Sequence, residues 1–423
     1  MKRALVLKVF NTLALRGLGS GVAVLLTVVV ARYLDTDASA KFLLLFNITT
    51  IASVCFRWGM DDVILRRVSA AADVSAAREA TARLLRMAHI KVALWALAAG
   101  CAAALLAVPA IAGATQGLSW VEFAVAIVVS ALIALSASGG RSYQGVGRTN
   151  LATVVLNIAI PGATLAVLVV LLFTGREVET LELFGIYGAA ALLAYLTVVW
   201  FRPIARPDLR PSRQRDARRS DRDDRRAASR LGGVVLSQQV LNWGALIVVP
   251  IAYGAATYTS FNVSFKIASL VSLVMLAVNF TFASRIASLF ARGEVAALRR
   301  LVKVMLLTVL VASGVLGAIV LLLRGPIEDF SRVDTGLGVV LVLLVVGQVF
   351  FALSAVYSLV LTMTHQERYL LVAQGTLTIL GLTTFLALSF TASIEWASTA
   401  FVATYAILLP ILARRTSTAL RAD

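Results

Sequence analysis

The chain has 423 residues, of which 60% are hydrophobic and 14% charged, and its formal net charge is +17. Soluble domains carry about 25% charged residues, so this composition excludes a set of ordinary soluble domains. The basic excess does not signal a nucleic-acid partner: no zinc-ligand spacing or aromatic RNA-binding pattern accompanies it, and membrane proteins hold Lys and Arg in their cytoplasmic loops.

The apolar residues fall into blocks of about 20, the length that crosses about 30 Å of hydrocarbon as a helix. Continuous blocks, unlike alternating ones, mean helices, which satisfy their backbone groups within lipid. In chain order, spans are expected near 13–34, 40–58, 89–112, 119–138, 150–173 and 183–201. After a polar break, further spans are expected near 233–254, 260–283, 301–323, 336–359, 369–390 and 395–413. The expected fold class is an all-α polytopic membrane protein with about twelve transmembrane helices in two six-helix lobes. Met1–Arg16 leads into the first span without a small-residue cleavage pattern, so no cleavable signal peptide is expected. Cys55 and Cys101 lie within apolar blocks and read as small packed residues rather than a disulfide.

Loop charges give an independent reading of topology. With the N-terminus inside, the segments 1–16, 57–91, 141–148, 202–230, 285–303, Arg368 and the C-terminal tail hold 33 of the 39 Lys and Arg residues. The opposite side holds Arg32, Lys41, Arg176, Arg324 and Arg332, beside the acidic Asp35, Asp37, Glu177, Glu179, Glu182, Glu328, Asp329 and Asp334. The positive-inside bias therefore places both termini in the cytoplasm.

Residues 202–230 contain eleven arginines, five aspartates and three prolines and divide the chain nearly in half. Such a segment reads as a solvated cytoplasmic linker, with attraction to anionic lipid headgroups as its functional alternative. The expected domains are a six-helix lobe over 1–202, an Arg-rich linker over 203–230 and a second six-helix lobe with a short tail over 231–423. An internal repeat crosses the linker. Phe42, Phe46, Asn47 and Ile48 align with Phe261, Phe265, Lys266 and Ile267 at an offset of 219, and the same offset sets Gly145-Val-Gly147-Arg148 on Thr364-His-Gln366-Glu367.

Few residues carry chemistry. His89 and His365 lie at helix ends without paired ligands, and no P-loop, HExxH or GxSxG pattern is present, so neither catalysis nor a cofactor or metal is expected. Polarity inside the spans is costly and marks protein-facing or cavity-facing positions. Lys266 lies within the eighth span, with Asn262 one turn earlier; Gln238, Gln239 and Asn242 lie on the preceding span. The second span offers Asn47, Thr50 and Ser53. Lys266 either lines a cavity or extends its ammonium to the outer interface while the amides bridge helices. Arg32, Arg57 and Arg285 sit near span ends as interfacial anchors, and Glu122 is the one carboxylate near the end of an apolar block. A cavity with Lys and amides but no carboxylate suits an anionic or neutral polyhydroxylated substrate, and a phosphate would favour the ammonium strongly once desolvated.

The opening Leu15-Arg16-Gly17-Leu18-Gly19-Ser20-Gly21, running into Ala31-Arg32-Tyr33-Leu34, resembles the first helix of bacterial polysaccharide-export flippases. Phe56-Arg57-Trp58-Gly59-Met60-Asp61 with Arg66-Arg67, the Gly145-Val-Gly147-Arg148 turn and the Lys266-Ile267 pair are further likenesses. The family is the O-antigen (Wzx-type) flippases of the multidrug/oligosaccharidyl-lipid/polysaccharide (MOP) exporter superfamily. The resemblance implies a MOP/MATE-like fold of two lobes around a cavity in the bacterial inner membrane. It implies an undecaprenyl-diphosphate-linked oligosaccharide as substrate, with membrane lipids, the polysaccharide polymerase and the export machinery as further partners. Lys266, Asn47, Asn262, Gln239 and Asn242 would receive the diphosphate and first sugars, with Arg32 and Arg57 guiding the headgroup. The chain departs from the pattern where the family's eighth helix has a proline, since it reads Phe280-Thr-Phe-Ala-Ser284. A small-molecule exporter of the same superfamily and a membrane-embedded polymerase or glycosyltransferase are the alternatives. The scarcity of buried carboxylates weighs against the first; the lack of a long outer loop weighs against the second.

Overall fold

The computed structural model describes residues 2–69, 74–105, 119–146, 148–176, 178–200, 214–275, 278, 282, 286, 289–290, 292–326, 338–364 and 366–420. Every regular element among them is helical. In chain order these are α1 (Lys2–Tyr33), α2 (Thr36–Arg57), α3 (Met60–Ser69), α4 (Val74–Leu105), α5 (Trp120–Gly145), α6 (Thr149–Thr153), a π-helical turn (Val154–Ile158), α7 (Ala159–Phe173) and α8 (Thr180–Trp200). They continue with α9 (Gln214–Ser269), a 3₁₀ turn (Leu270–Ser272), α10 (Val295–Leu322), α11 (Gly338–Met363), α12 (Glu367–Thr391) and α13 (Ile394–Ala419).

Local chemistry explains several boundaries. The Asp35 carboxylate accepts the backbone N–H of Ala38 at 2.7 Å and so opens α2. At the start of α5, the Ser119 hydroxyl accepts the N–H of Glu122 while the Glu122 carboxylate accepts the N–H of Ser119. This reciprocal pair satisfies two otherwise orphaned donors, which gives Glu122, the one carboxylate near an apolar block, a structural task. The π turn precedes Pro161, which has no N–H to give to the Asn157 carbonyl four residues back. Gly19 of α1 lies against that position: a Cβ there would come within 2.8 Å of the Asn157 Cβ and 2.9 Å of its carbonyl oxygen.

Among the described residues, ten helices are long and apolar enough to cross a membrane, and Gly17–Tyr33 is a shorter apolar helix. One of the ten, Gly232–Met275, runs for 44 residues, about twice the crossing length. It is broken at Gly254, whose φ of 80° and ψ of −178° lie in a region open only to glycine. The expected seventh span and the eighth as far as Met275 are therefore the two sides of that break, while residues 276–277, 279–281 and 283 of the expected eighth span lie outside the described residues. Residues 106–112 of the expected third span lie outside the described residues. The lipid-facing role of the surface is plain on α10, where Leu307, Leu310, Val311 and Val315 are all exposed.

The chain forms two compact units. One comprises the described residues of Met1–Leu13, Thr27–Ala40 and Ser237–Asp423; the other comprises those of Ala14–Leu26 and Lys41–Leu236. In the second, α5 packs against α3, α4, α6 and α8, and α7 packs against α8. In the first, α11 packs against α10, α12 and α13, and α12 packs against α13.

The reading of 202–230 as a solvated tether needs correction over 214–230. Residues 202–213 lie outside the described residues, but α9 begins at Gln214 and its Asp224 is 1% exposed. Two arginines from elsewhere in the same unit neutralise that carboxylate, which removes the solvation requirement that the sequence reading relied on.

Candidate functional site

The polar residues of α2 descend in a ladder. The Thr49 and Thr50 hydroxyls donate to the Phe46 carbonyl at 2.9 and 2.8 Å, and Ser53 donates to the Thr50 carbonyl at 2.8 Å. Arg57 Nε then donates to the Ser53 carbonyl at 3.1 Å, which places its charge at the negative end of the helix dipole. Asn47 sits at the head of this ladder, 2% exposed.

Arg57 faces a carboxylate pair at the start of α3. Its Nη1 lies 3.0 Å from Asp61 Oδ2, with both side chains 13% exposed. Arg141 of α5 approaches the same Asp61 oxygen at 3.8 Å and Asp62 Oδ1 at 3.8 Å, and it also donates to Gln144 at 3.0 Å. Burial pushes the Asp61 carboxyl up, but Arg57, Arg141 and the N–H groups of Asp61 and Asp62 outweigh it and hold the group below its ordinary value. Asp62 moves the other way: burial and the neighbouring Asp61 charge raise it, against the pull of Arg141 and Arg57. Sequence reasoning held Arg57 and Asp61 only within the Phe56–Asp61 stretch and did not pair them, because the Trp58–Gly59 turn between α2 and α3 makes that pair. The contribution of Arg141 came only with the fold.

In the other unit, Asn242 Nδ2 donates to Gln239 Oε1 at 3.3 Å, and the fully buried Tyr405 donates its hydroxyl to Asn242 Oδ1 at 3.4 Å. Asn262 is also fully buried and donates to the Tyr258 hydroxyl at 3.1 Å; its Oδ1 accepts no hydrogen bond among the described residues. Lys266, one turn further along α9, is partly exposed. The structure thus joins Gln239 to Asn242 through a bond that the sequence spacing allowed, and adds Tyr405 and Tyr258, which sequence reasoning missed. Tyr405 lies 163 positions from its partner, so no local pattern could have found it.

The remaining candidates separate. Arg32 lies in the last turn of α1, with its guanidinium 5.5 Å from the centroid of the Tyr33 ring. Gln238 is partly exposed on α9. His89 is engaged structurally, its Nδ1 at 2.6 Å from the Leu85 carbonyl and its Nε2 at 3.1 Å from the Tyr195 hydroxyl. Among the described residues no group of His, Cys, Asp and Glu forms a metal-binding cluster. Arg285 and His365 lie outside the described residues.

No family model matches this chain, and no curated protein matches it. Its fold does match solved structures. An inward-facing multidrug resistance MATE family transporter of the MOP superfamily superposes with a TM-score of 0.73 at 14% identity, covering 98% of this chain and 99% of that one. An outward-facing MATE structure gives 0.66 at 15% identity, covering 98% and 96%. A MOP superfamily transporter from Pyrococcus furiosus, described as having a binding pocket of reverse polarity that suggests a different function, gives 0.65 at 15% identity over 98% and 96%. The protein is a multi-pass membrane protein with the MATE/MOP-like fold.

Proposed function

We propose that this protein is an alternating-access transporter that moves an undecaprenyl-diphosphate-linked oligosaccharide from the cytoplasmic to the outer leaflet for cell-surface polysaccharide synthesis. The observation that carries the reading is Lys266, the cation within the eighth apolar span of a chain with a MOP transporter fold, set one turn from the buried Asn262. A desolvated ammonium attracts a diphosphate strongly, and amides and hydroxyls suit sugar hydroxyls. In this reading Lys266 takes the diphosphate, while Asn262, Gln239 and Asn242 contact the first sugars. Arg32 and Arg57 meet the headgroup at the outer and inner ends. The polyprenyl tail stays in lipid, which the exposed apolar faces of the helices suit. Movement without nucleotide hydrolysis leaves an ion gradient or downstream consumption of product as the driving force.

The test is leaflet-resolved accumulation of lipid-linked oligosaccharide in cells with and without the protein. Cytoplasmic-leaflet accumulation on deletion, reversed by wild type but not by Lys266→Ala, is the expected result. An unchanged distribution, with redundant transporters removed, would sink the reading. The MATE structures that share the fold are multidrug transporters, which favours small-molecule export as the second reading. Drug sensitivity on deletion, with lipid-linked sugars unaffected, would select it.

A further inference from the structure

The Arg-rich stretch between the halves is where the molecule departs most from its sequence reading. We infer that Asp224 is a positioning residue: it docks the 214–236 part of α9 on α3 and α4 and, through Gly232, fixes the Trp58–Gly59 turn that carries Arg57. The inference rests on Arg57 being a headgroup contact, as proposed above, for its effect on transport; the docking itself does not.

The two carboxylate oxygens of Asp224 are shared between two helices. Arg67 of α3 lies 2.7 Å from Oδ1, and Arg83 of α4 lies 2.9 Å from Oδ2. A carboxylate buried to 1% exposure is held there only by such partners. At i+4 and i+8 from Asp224 come Ala228 and Gly232, so all three lie along one face of the helix. Ala228 is fully buried among Met60, Ile64 and Leu84. The small residues let the backbones meet. A Cβ on Gly59 would strike the Ala228 carbonyl oxygen and come within 2.7 Å of the Gly232 nitrogen; one on Gly232 would come within 3.0 Å of the Trp58 carbonyl carbon.

The turn receiving this contact is unusual in itself. Trp58 has φ 40° and Gly59 φ 73°, both in the left-handed region that an L-residue such as Trp58 enters only when its surroundings hold it there. Lys91 of α4 donates to the Trp58 carbonyl at 3.2 Å, and the Trp58 ring stacks on Trp95 with centroids 6.2 Å apart. Gly232 closes the turn from α9. Arg57 immediately precedes the turn and Asp61 follows it by two residues, so their 3.0 Å pair inherits its geometry. Release of α9 frees the turn on that side and loosens the pair.

Hydrogen exchange followed by mass spectrometry, on the full-length protein in detergent, reads this directly. Asp224→Asn should speed exchange across 226–234 and 58–64 by about tenfold or more, because both become free to open locally. Exchange in α11 should stay unchanged and serve as an internal reference against general unfolding. Asp224→Glu should restore slow exchange, and Arg67→Gln, which removes one ion pair, should give a smaller change in the same direction. In a translocation assay with a short-chain polyprenyl-diphosphate sugar, Asp224→Asn should raise KM several-fold and leave the maximal rate near wild type. Unchanged exchange over 226–234 overturns the docking, and faster exchange there with 58–64 unchanged overturns the positioning of the turn. If wild type moves no lipid-linked diphosphate, the flippase reading falls and the exchange data still decide the docking.

Discussion

In one unit Phe42 stacks on Phe46 with ring centroids 6.3 Å and planes 27° apart; in the other Phe261 stacks on Phe265 at 6.1 Å and 24°. Each pair meets rings from the last span of its own half. Phe42 contacts Phe184 and Tyr187 of α8, while Phe265 contacts Phe401 of α13. The residue after each pair differs: Asn47 is buried to 2% exposure, whereas Lys266 is partly exposed. One packing frame therefore serves both halves, and the chemistry diverges at the position beside it. The turns after the fourth span of each half agree as well. Val146 and Arg148 donate to the Ser142 and Tyr143 carbonyls as Thr364 and Gln366 donate to those of Val360 and Leu361. These bonds set the offset at 218, one residue less than the sequence alignment of that turn and than the aromatic pairs themselves.

The largest effect should come from the position where the halves differ. Lys266→Ala is expected to weaken lipid-linked diphosphate binding by about 30-fold or more, without loss of membrane insertion, because a desolvated charge contact is removed. A binding titration in nanodiscs with wild-type affinity in the variant would take Lys266 out of the site. The exchange Asn47→Lys with Lys266→Asn sharpens the comparison: partial recovery over Lys266→Asn alone is expected if the two frames are equivalent, and no recovery would mean that the halves are not interchangeable.

Truncating the shared frame should affect the halves alike. Phe42→Ala and Phe261→Ala each remove a fully buried ring and should each cost about 3 kcal/mol, mostly as lost packing rather than lost hydrophobic burial. Thermal unfolding in detergent checks this, and a difference between the two above about 2 kcal/mol would break the equivalence.

The glycines give a smaller and unequal pair. Gly59→Ala combines a left-handed φ of 73° with a backbone collision, and should cost about 2–4 kcal/mol. Gly254→Ala has the φ penalty alone, since nothing lies within 4 Å of its Cβ position, and should cost about half as much. Unfolding midpoints in the reverse order would show that the Gly59–Gly232 contact is not tight.

The smallest effect separates neighbours. The Asp61 pKa is depressed in the folded protein, so its stabilisation is present above the unfolded carboxylate pKa and is lost as pH falls through the folded value. Asp62 is raised, so the folded form favours its proton and stability declines as pH rises through the window between its unfolded and folded pKa values. At neutral pH, Asp61→Asn should lower the unfolding midpoint and Asp62→Asn should raise it slightly. Shifts of the same sign in both would remove the assigned opposition.

Much of the fold was legible because lipid leaves few options. Apolar blocks of crossing length must be helices, and the Phe-x-x-x-Phe repeat showed in the sequence because each half packs such a ring pair against its own last span. The candidate site was legible only as a roster. Asn242 and Gln239 lie three apart on one helix, and spacing alone allowed their bond. Tyr405 entered through packing of α13, and Arg141 reached Asp61 through packing of α5 on α3. Of segment 202–230, the part from 214 to 230 misled for the same reason. Its composition reports that its charges need compensation, and it is silent on whether water or other side chains supply it.

The sequence by itself determined the class of molecule, the helices and the repeated aromatic frame, because these follow from local length, hydropathy and periodicity. Only the tertiary structure decided which charges meet: that Arg67 and Arg83 bury Asp224, that Arg57 and Arg141 share Asp61, and that Gly59 and Gly232 bring two backbones together. Those contacts join residues from distant parts of the chain, and their energies depend on separation and desolvation, which exist only once the helices have packed.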